Sequence, residues 1–413
     1  MKTAAIICEY NPFHTGHAHH IRETKRIVRE MTGESCAVLC VMSGNFVQRG
    51  DAAVCDKSVR AEMAVRCGAD LVLELPTPYA MATAEVFASG AVELIRKTGV
   101  ADYISFGSEC GDIDALTETA RILLSDAFPD AVKDELTSGI SFAAARQAAL
   151  THLAPQYAEI LATPNNTLAV EYLKAICTQK ANLIPVTVTR IGQRHDANEA
   201  VSEEVCPSAS SVRKALFEGA HADALAGIPT LAADVLAREI ARGGAPIFFD
   251  RLELSVMSYL RRLTPADYAR LPDVSEGLEN RLYDAMRAAT TFDDACGLAK
   301  SKRYSYARIR RLYLAAFLGI RKDLYAGIPY ARVLAFSDTG RTLLRGIRED
   351  FPVLTKPAAF TSLDEQGQKM FQFEALCTDL FAMAYPGFDR RRAGLEFTTS
   401  PKYIMRFEEN PQK

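Results

Sequence analysis

The chain has 413 residues with a formal net charge of −3, and 48% of its residues are hydrophobic and 24% charged. This mix is typical of globular proteins; it excludes collagen-like and low-complexity classes, and the length favours two or three domains. Because no apolar run approaches the roughly 20 residues of a membrane-spanning helix and no secretory signal is visible, we expect a cytoplasmic protein.

The first 240 residues alternate short apolar strands with helical segments. Strands are predicted at residues 4–8, 37–42, 71–73, 103–106 and 186–190, with helices between them and another starting near residue 210. Short continuous apolar strands that alternate with helices predict a parallel sheet covered on both faces. Ligands of such sheets bind outside the carboxyl ends of the strands.

The pattern changes at the Gly-Gly-Ala-Pro stretch of residues 243–246, after which helical periodicity dominates. We therefore predict an α/β, Rossmann-like nucleotide-binding domain over residues 1–240. A mainly helical domain is predicted over residues 246–413.

The ten cysteines are scattered without a Cys-x-x-Cys pair, and most of them are interpreted as small buried apolar residues rather than disulfides or zinc ligands. His19 and His20 lack carboxylate or thiol partners at ligand spacing, so no metal site is predicted.

The strongest chemical signal follows the first strand, where residues 9–17 read Glu-Tyr-Asn-Pro-Phe-His-Thr-Gly-His. A strand-to-helix turn presents free backbone N–H groups and the positive end of a helix dipole, which together form a phosphate site. His14 and His17, three residues apart, can face one side and donate to phosphate oxygens, and Gly16 permits close approach of the backbone. The alternative is a pair of polar residues in an ordinary first helical turn.

A second anion cradle is predicted where Ser208 and Ser211 open a late helix that also carries Arg213. Hydroxyls and N–H groups at this helix start, with the arginine behind them, can bind phosphate. The alternative is a serine N-cap without a ligand. The two motifs in this order, each between a strand and a helix, favour nucleotide binding.

Residues 296–349 hold twelve basic and three acidic residues, a net charge of +9 within a chain of −3. Such an excess indicates a polyanionic partner. Tyrosines and a phenylalanine alternate with the charges and could stack on unpaired bases, or they could be core positions of an amphipathic helix. The cations that we expect to contact RNA are Lys300, Lys302, Arg303, Arg308, Arg310 and Arg311.

The pairing of motifs resembles the nucleotidyltransferase superfamily with its His-x-Gly-His turn. Further motifs narrow the resemblance to the bacterial tRNA(Met) cytidine acetate ligase family, over nearly the whole chain. They are Val-Met-Ser-Gly-Asn-Phe-Val-Gln-Arg-Gly at 41–50, Glu-Leu-Pro-Thr-Pro-Tyr-Ala at 74–80, Phe-Gly-Ser-Glu at 106–109, Pro-Asn-Asn at 164–166 and Lys-Arg-Tyr-Ser-Tyr-Ala-Arg at 302–308.

This resemblance implies an enzyme that forms acetyl-adenylate from acetate and ATP with Mg²⁺. It would then transfer the acetyl group to N4 of the wobble cytidine of elongator tRNA(Met), giving N4-acetylcytidine. The catalytic residues would be His14, His17, Ser208, Ser211 and Arg213. The ATP-binding residues would be Ile7, Cys8, Glu9, Tyr10, Asn11, Pro12, Phe13, His14, Thr15, Gly16, His17, Ala18, His19, His20, Gly107, Asn165, Arg190 and Ile191.

Several of these positions have simpler interpretations when the resemblance is set aside. Gly107 could be a turn glycine, Arg190 a surface arginine, and Asn165 or Asn166 a helix cap. Lys57 and Arg60 could contact ATP or tRNA, but a solvated helix face is favoured for both. Thr15 replaces the asparagine that is usual in the family, and we expect little effect of this change on nucleotide binding.

Two other functions remain as alternatives. A small-molecule adenylyltransferase would share the nucleotide site, although the basic segment disfavours it. A non-catalytic RNA-binding protein that senses ATP would retain the same motifs without turnover.

Overall fold

The computed structural model describes residues 1–190, 208–275 and 277–405. In these ranges the strands are β1 (Lys2–Cys8), β2 (Cys36–Ser43), β3 (Phe46–Val47), β4 (Asp51–Ala52), β5 (Leu71–Leu75), β6 (Tyr103–Ser108), β7 (Ile184–Thr189), β8 (Ala331–Phe336), β9 (Val353–Leu354) and β10 (Lys402–Tyr403).

The α-helices of the same ranges connect these strands and fill the chain between β7 and β8. They are α1 (Thr15–Thr32), α2 (Lys57–Arg66), α3 (Thr77–Ala80), α4 (Ala84–Thr98), α5 (Ile113–Leu123), α6 (Ala127–Leu136), α7 (Phe142–Leu153), α8 (Pro164–Thr178), α9 (Ala209–Phe217), α10 (His221–Ala226), α11 (Thr230–Ala241), α12 (Asp250–Leu260), α13 (Pro265–Tyr268), α14 (Leu278–Ala288), α15 (Phe292–Ala299), α16 (Tyr306–Leu318), α17 (Asp338–Gly346), α18 (Glu365–Ala382) and α19 (Leu395–Thr398). Short 3₁₀ turns cover Pro155–Ala162, Lys322–Tyr325, Pro357–Ser362 and Phe388–Arg390.

The main sheet has the order β10-β8-β5-β2-β1-β6-β7, with β9 beside β8. Neighbouring strands are parallel except for β5 and β8, which are antiparallel. The predicted α/β fold with a parallel sheet is therefore confirmed. The antiparallel pairing of β5 with β8 is not part of the prediction.

Strand β2 shows why both faces of the sheet are covered. Its residues Leu39 and Val41 belong to the apolar core that includes α4 and α8, while Cys40 and Met42 belong to the core on the α2 side. Alternate side chains of a strand point to opposite faces, so an uninterrupted apolar strand requires helices on both.

The sheet order reverses at β1, because the chain proceeds from β1 through β2 to β5 and then returns to add β6 on the other side of β1. A crevice forms at such a reversal, outside the carboxyl ends of the two strands. The His-x-Gly-His turn follows β1, and Gly107 lies near the end of β6.

The predicted helical domain is joined closely to this sheet. Strands β8, β9 and β10 come from its part of the chain, and residues of α12, α16 and α18 share one continuous apolar core with β2 and α4. The domain boundary at residues 240–246 stays a prediction. In the described ranges, no helix combines the length and apolarity that crossing a bilayer requires.

Candidate active site

His14 and His17 cap the first helix reciprocally. His14 is the N-cap residue of α1, and its Nδ1 accepts a hydrogen bond from the N–H of Gly16 at 3.1 Å. The Nδ1 of His17 accepts one from the N–H of His14 at 3.2 Å. The two rings are tilted by 32° to each other, with centroids 3.7 Å apart.

The capping hydrogen bonds determine which nitrogen of each ring carries the proton. A backbone N–H can only donate, so Nδ1 of both histidines is unprotonated, and in the neutral ring the proton is on Nε2. Burial, followed by the positive charges of Arg190 and Arg213, lowers the pKa of His14 from 6.5 to about 4. Burial also lowers the pKa of His17, as do His14, His20 and Arg190. Both rings are thus neutral hydrogen-bond donors near pH 7. They would not neutralise the charge of a phosphate group as protonated histidines would.

The expectation of free backbone N–H groups at this turn is wrong. The N–H of Thr15 donates to the carbonyl of Gly227 at 3.3 Å, and those of His14 and Gly16 donate to the histidine rings. The side chains satisfy the donors that a helix start otherwise leaves open. Phosphate binding here would therefore use the Nε2–H groups. The buried Oγ1 of Thr15 has no partner among the described residues.

The serine-rich helix contacts the first motif directly. Arg213 donates to the main-chain carbonyl of Asn11 at 2.6 Å and to Oγ of Ser210 at 3.2 Å. Ser208 is the N-cap of α9 and accepts from the N–H of Ser211, whose hydroxyl donates back to the Ser208 carbonyl at 2.7 Å. Ser208 thus caps α9, and both serines are exposed. The second anion cradle stays a prediction.

Glu109 organises the Pro-Asn-Asn segment at the start of α8. Its carboxylate accepts from Oγ1 of Thr163, from the N–H and Nδ2 of Asn165 and from the N–H of Asn166. These hydrogen bonds hold the pKa of Glu109 below its usual value although burial opposes them. Asn166 in turn accepts from the N–H groups of Glu109 and Cys110. The N-cap of α8 is Thr163, so the cap interpretation of the asparagines is wrong.

Arg190 directly follows β7, beside this segment. Its Nη1 donates to Oδ1 of Asn165 at 3.3 Å, and the side chain is exposed. A Cβ at Gly107 would lie 3.3 Å from Cγ of Arg190, so a larger residue would press on the arginine. Gly107 lies within strand β6 and is not a turn glycine. Ile191 lies outside the described residues.

The rest of the expected ATP segment is buried or partly buried. Cys8, Tyr10, Asn11, Pro12 and Phe13 are buried, whereas Ile7, Glu9, Ala18, His19 and His20 are partly buried. The ring of Tyr10 packs 4.7 Å from that of His17, centroid to centroid. His20, on α1 beyond Ala18 and His19, contacts Oγ of Ser105 through Nε2 at 3.0 Å. Ile7 lies on β1.

Arg60 holds together the two loops that follow β1 and β2. It is fully buried, and its guanidinium donates to the main-chain carbonyls of Glu9, Ser43, Gly44 and Cys55. The expected solvated position is wrong. Its position in the sequence, one turn from Lys57 on a helix, cannot distinguish a buried arginine from an exposed one.

The side chain of Glu9 links the loop after β1 to the turn between β3 and β4. Its Oε1 accepts from the N–H of Gln48 at 2.8 Å. Burial raises the pKa of Glu9, against the opposing influence of Arg60, Arg213 and Arg49. The carboxylate thus lies among three cations at the end of β1, directly before the His-x-Gly-His turn.

Lys57 is also buried, so the favoured solvated position is wrong for it as well. Its Nζ lies 2.7 Å from Oε1 of Glu74 and 2.7 Å from Oε2 of Glu396. Arg332 of β8 lies 3.2 Å from Oε1 of Glu396. These pairs join β5 and α2 to the C-terminal part of the chain, and Lys57 is therefore not available to ATP or tRNA.

The basic segment is less positive in three dimensions than its composition indicates. Arg308 lies 2.9 Å from Asp273, and Arg310 lies 2.9 Å from Asp293 while it also donates to the carbonyl of Gly50. Acidic residues outside the counted window thus neutralise part of it. Of the six expected tRNA contacts, Lys300, Lys302 and Arg303 are exposed, and Arg308, Arg310 and Arg311 are partly buried.

The aromatic residues of this segment belong mainly to the core. Tyr304, Tyr313 and Phe317 are buried, and the hydroxyl of Tyr313 donates to the carbonyl of Leu282 at 2.8 Å. Core positions are confirmed for these three, which excludes base stacking on them.

Metal ligation by clustered side chains is not found in the described part of the chain. There, no group of three or more His, Cys, Asp or Glu side chains is arranged to hold a metal ion. The nine described cysteines are free thiols, and Cys206 lies outside the described residues.

Comparison with known proteins gives full-length matches. The sequence profile of the HIGH nucleotidyl transferase family matches residues 1–394. A tRNA(Met) cytidine acetate ligase of Acetivibrio thermocellus is 38% identical, covering 96% of this chain and 99% of that protein. One of Alkaliphilus metalliredigens is 36% identical, covering 98% and 99%.

A solved structure has the same fold along its whole length. The crystal structure of Thermotoga maritima TmcAL bound with alpha-thio ATP superposes with a TM-score of 0.89 at 30% identity, covering 98% of this chain and 100% of that one. The match between profile, sequence relatives and structure extends across both the sheet and the helical segment. The chain therefore belongs to the HIGH nucleotidyl transferase family, among the tRNA(Met) cytidine acetate ligases.

Proposed function

We propose that this chain is an ATP-dependent acetate ligase that acetylates N4 of the wobble cytidine of elongator tRNA(Met). The observation that carries the proposal is the end-to-end similarity to proteins named for the ligation of acetate to tRNA(Met) cytidine. The reaction would take place in the cytoplasm, where tRNA is used.

The first half-reaction joins acetate to the adenylyl group. An acetate oxygen attacks the α-phosphorus of ATP, a P–O bond breaks, and pyrophosphate leaves with acetyl-adenylate remaining. Negative charge develops on the phosphate oxygens during this step, so fixed donors and cations nearby lower its barrier. The Nε2–H groups of His14 and His17 would be two of these donors, and Arg190 and Arg213, which influence the pKa of His14, would supply positive charge.

The neutral state of the histidines suits this task. Because their Nδ1 atoms are engaged by backbone N–H groups, the rings are oriented before ATP binds and need no reorganisation. Mg²⁺ would be carried by the phosphate oxygens of ATP, since hard oxygen ligands and water suit it.

The second half-reaction transfers the acetyl group to RNA. The N4 amine attacks the acyl carbon, the bond to the AMP oxygen breaks, and the nitrogen loses one proton. The histidines cannot accept this proton without breaking the helix cap. We assign it to Glu9, whose carboxylate lies at the same turn and whose pKa is raised by burial.

The experiment that tests the proposal is nucleoside analysis of tRNA incubated with the purified protein, ATP, Mg²⁺ and isotopically labelled acetate. Labelled N4-acetylcytidine that requires ATP is the expected product. Transfer of the AMP group from ATP to a phosphorylated small molecule, with release of pyrophosphate and no label in tRNA, would instead support an adenylyltransferase. A folded protein that binds ATP and RNA without either product would be a binding protein.

A further inference from the structure

A large cleft separates α4 of the sheet domain from α16 of the helical segment. It encloses about 550 Å³, a volume in the usual range for small-molecule sites. Met81 and Val86 line one wall, and Leu312, Ala315 and Ile320 line the other. We call it the α4–α16 cleft.

Two tyrosines at the cleft have their hydroxyls engaged elsewhere. The hydroxyl of Tyr79 accepts from the N–H of Gly327, and that of Tyr325 donates to the carbonyl of Pro78, both at 3.0 Å. Their rings meet edge to face with centroids 5.3 Å apart. The half-buried ring of Tyr325 therefore offers the cleft an apolar aromatic surface.

The acidic residues of the cleft all have cationic partners outside it. Glu85 lies 3.1 Å from Lys174, Glu93 lies 2.8 Å from Lys97, and Asp273 lies 2.9 Å from Arg308. These three carboxylates are therefore already compensated, and they do not exclude an anionic ligand.

The two cations of the cleft, unlike its carboxylates, have no ion-pair partner among the described residues. Neither Arg311 nor Lys322 forms a side-chain hydrogen bond or ion pair within 1–190, 208–275 and 277–405, although both line the cleft. Burial lowers the pKa of Arg311, as expected for a guanidinium that is partly removed from water. Asp273 attracts Arg311 electrostatically, but it forms its ion pair with Arg308. A partly desolvated cation whose side-chain donors are not used by the described residues is complementary to an anionic group.

The cleft lies next to the candidate active site. The position of a Cβ on Gly50 would be 2.9 Å from the main-chain nitrogen of Arg311, so α16 packs directly on the segment between β3 and β4. Two residues earlier in that segment, Gln48 donates its N–H to Glu9. One short hairpin thus separates Arg311 from the turn that carries His14.

We propose that the α4–α16 cleft binds one unpaired nucleotide of the tRNA loop that carries the acetylated cytidine. Its phosphate would contact Arg311 and Lys322, and its base would lie against Tyr325 and the apolar wall. RNA loops are recognised in this way, through splayed bases and adjacent phosphates. This inference rests on the proposed function, which supplies the RNA.

Two variants test the cleft. Arg311→Gln removes the buried charge, and Val86→Phe fills part of the volume from α4. Each should raise the dissociation constant of an anticodon stem-loop RNA at least tenfold. Acetate-dependent exchange between ATP and pyrophosphate, which needs no RNA, should stay within twofold of wild type and shows that the variants are folded. The control Arg29→Gln alters an exposed arginine near the end of α1 and should change neither measurement.

Stem-loops with a single abasic site identify the nucleotide. One abasic position should weaken binding to the wild-type protein and have no further effect on Val86→Phe. Unchanged RNA affinity in both variants, from a wild-type protein that acetylates tRNA, would overturn the cleft proposal while the proposed function stands. A further outcome is that AMP binds to the cleft while alpha-thio ATP saturates the active site, and that Arg311→Gln abolishes AMP binding but leaves RNA affinity unchanged. This result would identify a free nucleotide as the ligand and would likewise overturn the cleft proposal. A wild-type protein without acetylation activity would contradict the proposed function instead.

Discussion

Arg213 donates a hydrogen bond of 2.6 Å to the main-chain carbonyl of Asn11, 202 residues earlier in the chain. This contact joins the serine-rich helix α9 to the turn that carries His14 and His17. The two motifs that are far apart in the sequence therefore form one surface, and the position of each depends on the other.

Replacing Arg213 with lysine should weaken ATP binding. Lysine keeps the charge but loses the planar fork that contacts Asn11 and Ser210 together. We expect the KM for ATP in the exchange reaction to rise about tenfold, which corresponds to about 1.4 kcal/mol. Lys214→Arg, an exposed change on the same helix, is the matched control. An unchanged KM in Arg213→Lys would show that the contact does not position the site.

His14 should make the fold sensitive to mild acid. Its pKa is lowered from 6.5 to about 4, so the unfolded chain binds more protons in this range and stability falls as the pH is lowered through it. The contribution approaches about 3 kcal/mol at the acid end. His14→Gln retains a neutral acceptor for the N–H of Gly16 and should flatten this part of the profile. Urea unfolding at intervals from pH 7 to pH 4 measures the difference, and parallel profiles for both proteins would contradict it.

Glu9→Gln should separate the two half-reactions. Glutamine can still accept from the N–H of Gln48, but it cannot take a proton from the cytidine amine. Acetyl transfer to tRNA should fall by about 10²–10⁴-fold, the usual contribution of a general base. Trapping of acetyl-adenylate by hydroxylamine should continue at the wild-type rate. Equal losses in both assays would indicate that Glu9 positions ATP and is not the base.

Arg60→Lys should destabilise the whole site. A lysine cannot reproduce the four hydrogen bonds to main-chain carbonyls, and the carbonyls left unpaired are buried. We expect the free energy of unfolding to fall by about 3 kcal/mol in urea titrations. Arg29→Lys, on an exposed face, should lie within about 0.5 kcal/mol of wild type. A similarly small change in Arg60→Lys would show that the loops are held by other contacts.

The sequence by itself determined the α/β fold and the family. Uninterrupted apolar strands such as β2 predict a sheet covered on both faces. Alternate side chains of a strand point to opposite faces, so a strand without polar residues must be buried on both. The His-x-Gly-His turn and the serine helix could also be found, because each needs particular residue types within a few positions of one another.

Only the tertiary structure decided what each polar side chain does. Arg60 and Lys57 lie one turn apart on an ordinary-looking helix, yet both are buried, because their partners come from distant segments. Arg308 and Arg310 are paired by acidic residues outside the basic window for the same reason. A charge is neutralised by whatever folding places beside it, and the order of residues along the chain does not specify that neighbour. The choice of the protonated ring nitrogen in His14 and His17 likewise follows from two capping hydrogen bonds that exist only in the folded helix.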